Sequence, residues 1–107
     1  MCEPRLYVIL REDLAFKYIQ GQHVVAQFAL NFPAKFKEWN NEKIVNLSVF
    51  NGISLNSIHE MLWDKFGTSH AVFHEPDLGD AITGIAIFEN GEGHVAHALK
   101  HLKLATK

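Results

Sequence analysis

Three features are scarce or absent in this sequence of 107 residues, and each absence excludes a class of protein. Cysteine occurs once, at Cys2, so no disulfide can form within the chain, and we expect a cytoplasmic protein. No apolar run reaches the ~18–20 residues that a membrane span requires. Lys and Arg form no cluster, and the net charge of -2 excludes a strongly cationic nucleic-acid binder.

Apolar residues and histidine are what the sequence has in abundance. Hydrophobic residues make up 48% of the chain and charged residues 21%, a composition typical of a folded domain rather than a disordered segment. We predict a single domain over residues 1–107, because no repeat, low-complexity tract or linker interrupts the chain. The seven histidines are side chains whose charge changes readily near neutral pH.

The hydrophobic pattern predicts alternating strands and helices. Strands are predicted at Leu6–Leu10, Ile44–Phe50, Ser69–His74 and Ala81–Phe88. Helices are predicted at Gln20–Phe32, Ala34–Trp39, Ser54–Phe66 (with Ser54 as the N-cap) and Val95–Leu102. Helices after the first two strands indicate parallel crossovers, and a short acidic loop pairs the last two strands antiparallel. We therefore expect an α/β fold, a three-layer α/β/α sandwich with a mixed four-stranded sheet.

Polar residues gather where the predicted parallel strands end, the edge at which open α/β sheets bind ligands. Arg11 follows the first strand, Asn51 the second, and the loop 75–80 the third. This loop holds three carboxylates, which can raise one another's pKa and supply a general base. The same carboxylates would also suit a divalent cation, or they form an ordinary solvated turn.

Four further residues lie near this edge, and three of them have two interpretations each. Thr83 is either an active-site hydroxyl or an ordinary β-branched strand residue. Gly21 either lets backbone N–H groups approach a phosphate at a helix N-terminus or simply begins the helix. Gln27 either binds a ligand through its amide or faces solvent. His23, close to the helix start and to the Arg11 end of the sheet, is well placed for a ligand.

Three histidines on the last predicted helix have the spacing of metal ligands. His94, His97 and His101 would share one helical face. They lack the carboxylate partner of a recognised zinc motif, so we predict no metal and no cofactor. The other histidines are interpreted as structural or surface residues: His59, His70 and His74.

Several motifs taken together resemble a known family. They are L-Y-V-I-L-R-E-D-L at residues 6–14, Gly21 followed by V-A-Q at 25–27, F-H-E-P-D-L-G-D at 73–80, T-G-I-A-I at 83–87 and L-K-H-L-K-L at 99–104. In this order, over residues 6–104, they resemble the type 2 peptidyl-tRNA hydrolase family. The loop is most similar to the F-R-E-P-D-L-G-N of a short bacterial and phage branch.

The resemblance implies hydrolysis of the ester between a peptide and tRNA, without a cofactor. It implies Asp77 or Glu75 as the catalytic carboxylate, Thr83 as a nearby hydroxyl and Gln27 as a positioning amide. The groups implied for substrate binding are Arg11, Lys17, Gly21 and His23. It also implies tRNA or peptidyl-tRNA as a partner and a homodimer.

The sequence departs from the family pattern at three places. Gln22 and His23 stand where the family has the lysines of G-K-G-K, and Leu30 stands where it has a helix histidine. Leu78 and Gly79 follow the loop acid, where the family has an Arg. An alternative function is therefore a non-catalytic domain on the same fold that binds RNA or a protein.

Overall fold

Strands and helices alternate along the chain in the computed structural model, which describes residues 2–105. The strands are β1 (Arg5–Arg11), β2 (Ile44–Val49), β3 (His70–Glu75), β4 (Ala81–Glu89) and β5 (Lys103–Leu104). The helices are α1 (Lys17–Asn31), α2 (Pro33–Trp39), α3 (Gly52–Phe66) and α4 (His94–Leu99), and a single 3-10 turn spans Pro76–Leu78.

All five strands form one mixed sheet in the order β3-β4-β1-β2-β5. β1 and β2 are parallel, with Leu6 opposite Ile44, and the other neighbouring pairs are antiparallel. Because β1 and β3 both run antiparallel to β4, they run in the same direction. β1, β2 and β3 therefore all end at one edge of the sheet, where the sequence placed the candidate chemistry.

The alternation of side chains along β1 directs apolar groups to both faces of the sheet. On one face its residues pack in a cluster with α1 and α2: Leu6, Val8 and Leu10 against Val24, Phe28 and Trp39. On the other face they pack in a cluster with α3 and α4: Tyr7 and Ile9 against Leu55, Ile58, Leu62, Val95 and Leu99. No helix in the described part of the chain is long and apolar enough to cross a membrane.

The predicted α/β fold with a mixed sheet is confirmed, but the predicted number of four strands is wrong. Within residues 2–105 the sheet has a fifth strand, β5, which pairs with Leu47 and Ser48 of β2. The predicted last helix continued to Leu102, whereas α4 ends at Leu99 and leaves His101 outside it. A strand of two residues is too short to show an alternating pattern. The spacing of Leu99 and Leu102 is instead typical of a helix, so the sequence did not indicate β5.

Two helix starts differ from prediction by more than one residue. α1 begins at Lys17 rather than Gln20. α3 begins at Gly52 because Asn51, not Ser54, is its N-cap: the Asn51 side chain accepts a hydrogen bond of 3.0 Å from the Ser54 N–H. The predicted end of α3 is confirmed, since Gly67 follows it with a φ of 67° and donates its N–H to the Trp63 carbonyl.

Candidate functional site

An open groove of about 450 Å³ lies at the edge where the parallel strands end. One wall comes from the start of α1 and the other from the segment between β3 and β4. The lining residues are Phe16, Ile19, Gln20, His23, Glu75, Asp77 and Leu78. The structure therefore brings together three residues that the sequence indicated separately: His23, Glu75 and Asp77.

The acidic wall is held in shape by its own backbone. Asp80 donates its N–H to the Glu75 carbonyl at 3.0 Å, and His74 Nδ1 lies 3.0 Å from the Asp80 carbonyl oxygen. The turn needs left-handed backbone at Gly79, with a φ of 65°, and at Asp80, with a φ of 60°. Within residues 2–105, Glu75 and Asp77 form no ion pair. Glu75 Oε1 accepts the Asp77 N–H at 3.4 Å, whereas the Asp77 carboxylate accepts no hydrogen bond from these residues and remains available to a ligand.

The helical wall presents an imidazole in a fixed plane. The His23 ring stacks on Phe73 of β3, with centroids 4.7 Å apart and planes 8° from parallel. Stacking of this kind restrains the ring without using either ring nitrogen. Neither ring nitrogen of His23 has a hydrogen-bond partner among residues 2–105, so both are available to a ligand in the groove.

Thr83 lies beneath the groove rather than on its surface. Its side chain is fully buried, and Oγ1 donates a hydrogen bond of 2.8 Å to Gln20 Oε1, with the Phe73 carbonyl oxygen 3.4 Å away. Gln20 itself lines the groove. The hydroxyl that the sequence indicated is thus connected to the site through a glutamine.

Arg11 fixes the end of β1 to β4. Its Nε and Nη2 donate to the Asp13 carboxylate at 3.0 and 2.8 Å, and its Nη1 donates to the Ile82 carbonyl at 3.0 Å. The hydrogen bonds between the two side chains raise the pKa of Arg11 and lower the pKa of Asp13. The guanidinium also packs on Gly52, where an added Cβ would lie 3.1 Å from Arg11 Cζ.

Lys17, the second predicted cation, is also held by a carboxylate. Its Nζ lies 2.9 Å from Glu12 Oε2, and its side chain is only 11% exposed. Both cations that the sequence assigned to substrate binding are therefore engaged within the protein.

Like Thr83, Arg11 and Lys17, two further predicted site residues, Gly21 and Gln27, do not line the groove. Gly21 is buried inside α1, where an added Cβ would lie 2.9 Å from Leu10 Cδ2, so its role is to let α1 lie close to β1. It lies beyond the first turn of α1, so neither interpretation of Gly21 as a residue at the helix start applies. Gln27 Nε2 donates to Asn31 Oδ1 at 3.0 Å, one turn further along α1.

The histidine spacing on the last helix does not produce a metal site. His94 and His97 lie on α4, but His101 follows the end of that helix. No group of three His, Cys, Asp or Glu side chains among residues 2–105 is arranged to hold a metal ion.

Sequence reasoning missed a buried carboxylate at the opposite edge of the sheet. Glu89 is 1% exposed; its Oε2 accepts the N–H groups of Gly91 and Gly93, and its Oε1 accepts that of Ala96, all at 2.8 to 2.9 Å. Burial alone would raise the pKa of Glu89, but these N–H groups outweigh it and the pKa is lowered. The sequence signal for this buried carboxylate was an acidic residue at the end of an apolar strand, directly before the glycine-rich turn N-G-E-G.

A histidine pair was also missed. His70 is buried, and its Nε2 lies 2.6 Å from His59 Nδ1. Burial, reinforced by the nearby His59, lowers the pKa of His70 to about 4, so His70 is neutral at physiological pH. Its position as the first residue of an apolar strand was the only sequence signal.

Comparison with known proteins gives a fold but no activity. No family model matches the sequence, and no curated protein matches it. A solved structure of a protein of unknown function from Agrobacterium tumefaciens strain C58 is similar over 99% of this chain and 100% of that one, with 18% identity and a TM-score of 0.68. The chain therefore shares its fold with that bacterial protein.

Proposed function

We propose that the protein is an ester hydrolase and that the ester between an acylated amino acid or peptide and tRNA is its substrate. The observation that carries the proposal is one groove that holds two carboxylates without an ion pair among residues 2–105, Glu75 and Asp77, beside a stacked imidazole, His23. Ester hydrolysis needs a base for water and a donor for the leaving oxygen, and these side chains supply both.

In the proposed reaction Asp77, the more exposed carboxylate, acts as the general base. It takes a proton from water while the water oxygen bonds to the ester carbonyl carbon. The resulting tetrahedral intermediate then breaks its bond to the ribose oxygen, which receives a proton from His23. The products are a free acid and the tRNA hydroxyl, and no cofactor is consumed.

The identity of the substrate rests on the resemblance to type 2 peptidyl-tRNA hydrolases together with the composition of the groove. Phe16, Ile19 and Leu78 line it beside the carboxylates and are 47 to 68% exposed. Apolar surface of this kind suits the side chain of an acylated amino acid. Such esters form during translation, so the proposal implies a cytoplasmic protein.

The test is the hydrolysis of N-acetyl-phenylalanyl-tRNA by the purified protein and by Asp77→Asn. General base catalysis contributes about 10²- to 10⁴-fold, so Asp77→Asn should lower the rate at least about 100-fold. Asp80→Asn is the matched control: it makes the same change in the same turn, outside the groove lining, and Asn tolerates the positive φ. Wild-type release no faster than buffer, or equal release by wild type and Asp77→Asn, would refute the proposal.

A second candidate is a non-catalytic domain that binds RNA weakly, because the groove lacks the cations that would hold a tRNA substrate in place for turnover. Arg11 and Lys17 are both paired with carboxylates, which leaves the groove without a free Lys or Arg in its lining. A protein that only binds tRNA would retain it at low salt without turnover. Gel-shift measurements with deacylated tRNA separate the candidates: binding without hydrolysis supports the second, and no binding at low salt eliminates it.

A further inference from the structure

We infer that the amide nitrogen of Gln20 binds the carbonyl oxygen of the scissile ester and that Thr83 is the positioning residue that orients this amide. The inference rests on the proposed function, which it deepens by naming the group that faces the developing negative charge. Neither the motifs nor the comparisons assign a role to Gln20.

The two ends of the Gln20 amide have different surroundings. Oε1 accepts the hydrogen bond of 2.8 Å from the buried Thr83 hydroxyl. Nε2 donates no hydrogen bond to any of residues 2–105, although Gln20 lines the groove beside His23 and Asp77. With the oxygen committed to the interior, the amide presents its unsatisfied N–H donors to whatever enters the groove.

The backbone is shaped to permit this contact. Gly84 follows Thr83 on β4, and an added Cβ there would lie 3.2 Å from Val24 Cγ1 and 3.5 Å from the Gln20 carbonyl oxygen. Together with Gly21 on α1 itself, it lets the first turns of α1 lie close to the sheet. Gln20 consequently reaches a hydroxyl that is wholly shielded from solvent.

An N–H donor in this place has a defined chemical use. When water adds to an ester, the carbonyl oxygen becomes an oxyanion, and donors fixed in advance stabilise it without reorganising. Thr83 fixes the orientation of the Gln20 amide, because its hydroxyl binds the amide oxygen and prevents that oxygen from turning toward the groove. A residue of this kind acts on the transition state more than on substrate binding, so its loss lowers kcat and leaves KM nearly unchanged.

The experiment measures kcat and KM for N-acetyl-phenylalanyl-tRNA in four variants. Gln20→Ala should lower kcat about 100-fold with little change in KM. Thr83→Val removes only the hydroxyl and should lower kcat about 10-fold, and Thr83→Ser should restore it. Gln22→Ala, an exposed glutamine of α1 outside the groove lining, is the matched control and should retain wild-type kcat.

The outcomes separate this inference from the proposed function. Wild-type hydrolysis with an unchanged Gln20→Ala variant overturns the inference alone, whereas no wild-type hydrolysis overturns both. A second measurement uses the side-chain amide NMR signal of Gln20 with an amide-linked analogue of N-acetyl-phenylalanyl-adenosine. The signal should shift on binding in wild type and Thr83→Ser but not in Thr83→Val; no shift in wild type also overturns the inference.

Discussion

β4 connects two regions of the protein in which the same chemical group has opposite surroundings. At its start, in the groove, Asp77 is an exposed carboxylate without an ion pair among residues 2–105. At its end Glu89 is buried and accepts three backbone N–H groups. The carboxylate oxygens of Glu89 are occupied by backbone N–H groups, so Glu89 stabilises the fold. The carboxylate of Asp77 remains available to bind a ligand.

The same distinction applies to the cations beside the groove. Arg11 and Lys17 have the right charge for RNA and lie at the right edge, but Asp13 and Glu12 already neutralise them. Charge type and position along the chain therefore do not identify a binding residue. A binding residue is identified by whether its charge already has a partner within the protein.

The largest effect on stability is expected from Glu89→Gln. The glutamine keeps one acceptor oxygen but turns an NH₂ group toward backbone donors, which should lower the free energy of unfolding by about 3 kcal/mol. For a domain of this size, that is a fall in Tm of about 12 °C or more. Thermal unfolding followed by circular dichroism measures it.

Asp77→Asn is the matched control for this change, and its Tm should equal that of the wild type. Low pH should reveal the same difference between the two carboxylates. The pKa of Glu89 in the folded protein lies below its ordinary value of 4.5. The stability that Glu89 contributes is therefore present above pH 4.5 and is lost as the pH falls through the folded pKa. Equal Tm values for Glu89→Gln and wild type would contradict the structural role of Glu89.

The next effect is a dependence of stability on pH, which we expect to originate from the buried His70. His70 has a pKa of about 4 when folded and 6.5 as a model group, so the unfolded chain binds an extra proton between these values. Stability should be full above about pH 6.5 and should fall by about 3 kcal/mol as the pH drops to about 4.

Urea unfolding at several pH values would measure this loss in wild type and in His70→Leu, which has no titrating group at that position. The variant should show a much smaller loss over the same interval. His59, which contacts His70 and the Trp63 ring, remains in both proteins. A wild-type profile that is flat between pH 6.5 and 4 would disprove the assignment.

The smallest effect is expected from Arg11→Lys. Lysine keeps the charge but cannot contact both oxygens of Asp13 and the Ile82 carbonyl together, so stability should fall by about 1 kcal/mol. Binding of tRNA, the proposed partner, should be unchanged in this variant, because Arg11 is engaged with Asp13 and the Ile82 carbonyl. A large loss of tRNA binding without a loss of stability would instead make Arg11 a substrate contact.

Much of the fold follows from the sequence because its elements carry strong periodic signals. The apolar strands β1 and β4 and the stripe of Leu55, Ile58 and Leu62 on α3 are matched by the structure. β5 was not predictable because a two-residue strand is defined by its pairing with β2, which leaves no local pattern.

The site was predictable only in part, for a physical reason. His23, Glu75 and Asp77 were indicated because α/β sheets gather polar groups where parallel strands end. The sequence indicates Gln27 but nothing in it singles out Gln20, because the contact that distinguishes Gln20 is a hydrogen bond from the distant Thr83. A sequence shows which groups are polar, but only a structure shows which already have partners.

The register of β1 against β4 has a consequence for how the molecule comes into being. It places Arg5 opposite Glu89, so the central ladder of the sheet joins the first strand to the fourth. During synthesis the apolar strand β1 must wait with one edge unpaired until β4 has left the ribosome. Such long-range pairing slows folding and exposes the nascent chain to wrong partners. We expect the groove to form last, when β4 docks between β1 and β3.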